Sequence, residues 1–138
     1  MSVSQLLIVA VAVGIAVNLY DYLVHGILLQ GPLYSHLTIM RPTVSIWKLV
    51  LLDFVAALVF VWVFQRVRAS FGPGARGGAV FGLYAAILVN FPTWLFSHLL
   101  QRGFTTQLAL AWTVVGLGWG LVAGAVAGAV GERVAHTA

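Results

Sequence analysis

The chain is poor in charge and has no cysteine. Of its 138 residues three are acidic and seven are lysine or arginine, so 7% are charged, where a soluble domain carries about a quarter. With 62% apolar residues there is too little polar surface to cover a water-soluble globule. The missing cysteines exclude disulfides, thiol catalysis, thiolate metal sites and iron–sulfur clusters together. Phosphate-cradling glycine motifs are missing as well. The glycines of residues 72–78 follow no strand, and those near the C-terminus lie inside an apolar run. The net charge of +4 is scattered over loop ends and forms no stripe for nucleic acid. The first apolar run lacks a basic leader and is too long for the core of a cleavable signal peptide.

What is present is four long apolar runs, at residues 6–29, 44–64, 79–100 and 108–131. Each is long enough to cross a hydrocarbon core, which takes about 20 helical residues. This predicts an all-α, four-helix transmembrane bundle forming one domain over residues 1–138, with the lipid bilayer as its main partner. Both termini and the second connection then share one side, with Arg66, Arg68, Arg76 and Arg133. The other side carries Arg41 and Arg102, with Lys48 one turn inside the second span. The positive-inside rule makes the first side cytoplasmic, and the two sides are called inner and outer below.

Small residues mark the packing. Gly116, Gly120, Gly124 and Gly128 recur every fourth residue, as do Gly78, Gly82 and Ala86, and the first span adds Ala10 and Gly14. Such stripes let helices approach closely in lipid. They fit packing within the monomer or, for the Gly116–Gly128 stripe, a homo-oligomer or larger membrane complex. A faint internal repeat pairs Val17-Asn18-Leu19 with Val89-Asn90-Phe91 and Gly31 with Gly103, which would suit two parallel hairpin repeats.

Two of the three acids lie inside spans. An ionisable group there costs at least about 2.5–3.5 kcal/mol near the bilayer centre and is a functional lead. Counting helical rise places Asp21 and Asp53 at matched depth, roughly 12–14 Å below the outer boundary. Asn18 and Asn90 fall slightly deeper and His25 and His98 shallower, making a column in the outer half. Helical spacing puts Asn18, Asp21, Tyr22 and His25 on one face, and Asn90, Trp94, Ser97 and His98 on another. Pro92 within the third span frees the Leu88 carbonyl and is expected to bend the helix.

Asp21, His25, Asp53 and His98 together resemble a hard-plus-imidazole ligand set for a divalent metal ion. Without a metal, two facing carboxylates would share one proton. A purely structural network is the third reading, with Lys48 paired to one of the acids and the asparagines and tyrosines tying helices together. Tyr22 and Trp94 would wall a pocket, whereas Trp47 and Trp112 read as an interfacial aromatic belt. His36 falls in a loop and His136 in the C-terminal tail.

The run Asn18-Leu19-Tyr20-Asp21-Tyr22-Leu23-Val24-His25-Gly26-Ile27-Leu28-Leu29, followed by Tyr34 and Arg41-Pro42, resembles the opening of a family of small four-span bacterial inner-membrane proteins. Phe60-Val61-Trp62-Val63-Phe64, Phe81-Gly82-Leu83-Tyr84 and Pro92-Thr93 are similar to that family too, while the glycine-rich last span is less so. The resemblance implies the four-span topology and a bacterial inner membrane, and it singles out His25, Tyr34 and Arg41. It implies no chemistry. The functional expectation is a non-catalytic accessory or ligand-binding protein with a polar pocket in the outer half of the bilayer. Translocation of a divalent cation or proton is the alternative, and an intramembrane metal-dependent enzyme is the least favoured reading.

Overall fold

A computed structural model describes residues 1–37, 43 and 45–136, with His36 described by its backbone alone. Its helices are α1 (Val3–Asp21), continued by a π-helical segment Tyr22–Leu28, then α2 (Ile46–Val67), α3 (Gly74–Leu100) and α4 (Thr106–His136). A 3-10 turn, Tyr34–His36, follows the first span. All four spans are long and apolar enough to cross a membrane, and the protein is an all-α, multi-pass membrane protein. Residue 44, the expected start of the second span, lies outside the described residues, as do Arg41 and Pro42.

The ends are set by local chemistry. Ser2 caps α1 in a reciprocal box: its hydroxyl accepts from the Gln5 amide at 3.2 Å, and the Gln5 side chain accepts from the Ser2 amide at 2.8 Å. Gln5 also donates to the Val134 carbonyl at 3.1 Å, tying the N-terminus to the end of α4. Between α2 and α3 the chain reverses through Gly72 and Gly74, with φ of 85° and 64°, backbone values that only glycine adopts freely. Gly103 turns the α3–α4 hairpin at φ 86°. Gly31 is not in that region, so the supposed repeat does not extend to equivalent turns.

Each helix is apolar nearly all round, so close approach of backbones organises the bundle. A Cβ added at Gly78 would strike the Gly124 carbonyl, one at Gly82 the Gly120 carbonyl, and one at Gly128 the Gly74 carbonyl. The C-terminal glycine stripe is therefore filled by α3 of the same chain. These three glycines thus serve packing within the monomer. At the top of the stripe the Asn90 amide lies against Gly116. In turn α1 packs between α2 and α4, with the Phe54 ring over Gly14.

Two cores result. In the inner half and at the midplane, Val9, Val13, Val17, Ala57, Val61, Ala123 and Ala127 are fully buried. Phe60, Phe64 and Phe71 meet Phe81 with ring centroids 5.1–5.3 Å apart, bridging α2 to α3. The outer core gathers Leu33, Phe104, Leu108 and Ala109 with Trp94 and Trp112. The outer end of α2 is different. Ile46, Trp47, Lys48 and Leu49 are all exposed, and four successive residues cover every side of a turn. That end stands clear of the other described residues.

Candidate functional site

The site begins where α1 stops being an α-helix. From Tyr22 to Leu28 the backbone widens into a π-helix, an arrangement that is rare and concentrated at functional positions. At its start Tyr22 is 64% exposed, and its ring runs along Gly26. Tyr22 therefore does not share the polar face expected of it. Asp21 and His25 remain inward neighbours, with His25 Nε2 3.8 Å from Asp21 Oδ1 and side chains 37% and 25% exposed, respectively.

The other side of the His25 ring meets Tyr34. His25 Nδ1 is hydrogen-bonded to the Tyr34 hydroxyl, and the two rings stack with centroids 5.7 Å apart. The Trp112 indole donates to the same hydroxyl at 2.9 Å. An indole N–H can only donate, so the Tyr34 oxygen accepts from Trp112. Its proton is then free to point to His25 Nδ1, and in that arrangement the Nε2–H of His25 faces Asp21. The result is a series Asp21, His25, Tyr34, Trp112 running from the span into the outer aromatic core. Burial raises the Tyr34 phenol above its ordinary range; the Trp112 hydrogen bond opposes this and the Asp21 charge adds to it. Tyr34 thus stays neutral in neutral solution.

Asp53 lies on α2, which packs against α1, the helix that ends in Asp21. No hydrogen bond joins the two carboxylates, and among the described residues Asp53 has no hydrogen-bond or ion-pair partner. Lys48, the expected partner, is exposed and makes no ion pair with a described residue.

The remaining predicted residues lie elsewhere. Asn18 donates to the Gly14 carbonyl at 2.8 Å and Asn90 to the Ala86 carbonyl at 3.1 Å, each within its own helix. They do not tie helices together in the way expected; Tyr20 does, donating from α1 to the Val115 carbonyl of α4 at 2.9 Å. Asn90 also accepts from the Trp94 indole at 3.1 Å, which fixes Trp94 against Trp112 and Phe104. α3 runs on through Pro92, where the Thr93 hydroxyl bonds the Val89 carbonyl.

His98 is the largest departure. Its Nδ1 lies 2.7 Å from the Phe104 carbonyl, an acceptor, so this nitrogen carries the proton. Its Nε2 then accepts from the Thr106 hydroxyl at 3.2 Å. Both nitrogens are used in closing the α3–α4 hairpin. The four-residue metal set Asp21, His25, Asp53 and His98 is therefore not assembled, and among the described residues no three histidine or acidic side chains converge as metal ligands.

Sequence reasoning missed the roles of Trp112 and Phe104. Tyr34 was marked only by the family resemblance, because its partners lie 9 and 78 residues away. Comparison with family models, with curated proteins and with solved structures finds no match for the chain.

Proposed function

We propose that the protein is a non-conducting membrane protein that binds a cation, in the simplest case a proton, in the outer half of the bilayer. The observation that carries this reading is Asp21, 3.8 Å from His25, with the His25–Tyr34 link leading to the outer surface and Asp53 on the adjoining helix α2. A carboxylate in a low dielectric is costly without a counter-charge, so these acids favour a state in which a cation is bound. His25 and Tyr34 offer a proton route from Asp21 to the surface loop, since each accepts on one side and donates on the other.

Translocation is less well supported. Inward of Asn18 the buried face of α1 is made of Val17, Val13 and Val9, all fully buried, and this part of α1 carries no ionisable side chain. The reading belongs to a bacterial inner membrane with both termini cytoplasmic, as positive-inside placement and the family resemblance suggest.

Two measurements test it. In infrared titration of the purified protein, the protonated-carboxyl band should rise as pH falls, and Asp21→Asn or Asp53→Asn should remove most of it. In proteoliposomes holding a pH-sensitive dye, proton flux should match empty vesicles. A titration unchanged by both substitutions would sink the binding reading, and flux abolished by Asp21→Asn would replace it with translocation.

A further inference from the structure

The inner end of the bundle carries a second site unrelated to the acidic pair. Two adjoining cavities open there, of about 360 and 340 Å³, sharing Met1 and Gln65. The first is bordered by Gln5, Arg68 and Ala135, the second by Val3, Leu6, Trp62 and Arg66. No acidic side chain lines either one; Glu132, the acid at this end, is turned to Gly74 at the start of α3.

The donors in these cavities are held in place and underused. The Arg66 guanidinium sits 4.4 Å above the centre of the Trp62 ring. Arg68 donates to the Gln65 side-chain oxygen at 3.3 Å, which leaves the remaining guanidinium N–H groups for a ligand. The Gln65 side chain thereby holds Arg68 in place, while its own Nε2 is buried against Gly131 of α4. A ligand that offers only acceptors would satisfy both guanidinium groups, and phosphate oxygens meet them in matched pairs.

The surroundings select the kind of phosphate. Val3, Leu6 and Trp62 border the second cavity with apolar surface, and all three are on helices that continue into the bilayer. Basic pockets at the ends of spans are a recurrent seat for anionic headgroups. We infer that Arg66 and Arg68, the latter positioned by Gln65, bind the phosphodiester of an anionic glycerophospholipid, with the lipid's chains lying along Val3, Leu6 and Trp62.

The test uses native mass spectrometry of the full chain in detergent, titrated with phosphatidylglycerol or with phosphatidylcholine of the same chain length. The first phosphatidylglycerol should bind about tenfold more tightly than phosphatidylcholine. Arg66→Gln with Arg68→Gln should erase most of that preference, and so should Gln65→Leu, which keeps the side chain's bulk. Arg76→Gln, at the same end but outside both cavities, should leave it intact. Helical circular dichroism identifies folded variants, and the single substitutions serve if the double one does not fold. Equal binding of the two lipids overturns the inference, as does an equal loss in Arg76→Gln, which would mean a diffuse positive field. Displacement of bound lipid by millimolar inorganic phosphate would assign the site to a soluble anion instead.

Discussion

Replacing Gly124 by leucine is expected to abolish the folded bundle. In α4 the Gly124 position faces the Gly78 carbonyl so closely that even a methyl group would overlap it, and the Gly82 Cα lies 3.1 Å from the same point. Two effects compete. Removing a mid-helix glycine favours the helical state by up to about 1 kcal/mol. Overpacking a site whose neighbours can shift costs about 1–3 kcal/mol, and here the neighbour is helix backbone, which cannot rotate aside. The α3–α4 hairpin must then separate along its length. It loses the short-range contacts that hold helices together in lipid, where apolar burial supplies little drive. The cost is set above about 3 kcal/mol by this comparison. The readout is the fraction of monodisperse helical protein recovered in mild detergent, and its unfolding midpoint in increasing dodecyl sulfate. Gly31→Ala is the control, since none of the described residues lies within 4 Å of a Cβ there. Gly116→Ala should fall between the two, because it displaces the Asn90 side chain and not backbone. If Gly124→Leu folds as well as Gly31→Ala, the packing account of this fold fails.

That stripe was readable from sequence because its period matches the helix, and the four spans were readable from the length of their apolar runs. The site was harder, for physical reasons. Nothing in Tyr22–Leu28 distinguishes a π-helical winding from an α-helical one, and nothing in the spacing separates the exposed Tyr22 from the Asp21–His25 pair. His98 looked equivalent to His25 by depth and residue type. Its fate was set by Phe104 and Thr106, across a turn whose geometry depends on Gly103. Matched depth of Asp21 and Asp53 is an expectation that helical rise alone supplies. Depth is a one-dimensional quantity that rise can supply. Hydrogen-bond partners depend on rotation and on loops, which it cannot.

Trp112 and Trp47 make the same point as a measurable difference. Both look like belt residues in sequence, but Trp47 is 82% exposed whereas Trp112 lies between three other rings. Its ring centre is 4.6 Å from that of Trp94 and 5.4 Å from that of Phe104, both edge-on, and its indole N–H holds the Tyr34 hydroxyl. Trp112→Ala is expected to cost about 3–5 kcal/mol, the range for truncating a packed aromatic side chain. Trp47→Ala should stay within about 0.5 kcal/mol. Trp112→Phe separates the two contributions: it keeps most of the packing and removes the donor, for a loss of about 1 kcal/mol. Thermal unfolding in one detergent ranks the three, and proteolysis across residues 29–37 reports release of the loop that carries Tyr34. A Trp112→Ala protein as stable as Trp47→Ala would show that the outer aromatic core does not hold that loop. The Phe variant carries the functional consequence. With its donor gone, the Tyr34 oxygen is free to rotate its proton away from His25 Nδ1. The infrared titration of the carboxyl pair should then lose its dependence on Tyr34, so that adding Tyr34→Phe to Trp112→Phe changes nothing further. Additive changes would mean that Trp112 acts on the site by packing alone and that the indole hydrogen bond does not position the phenol.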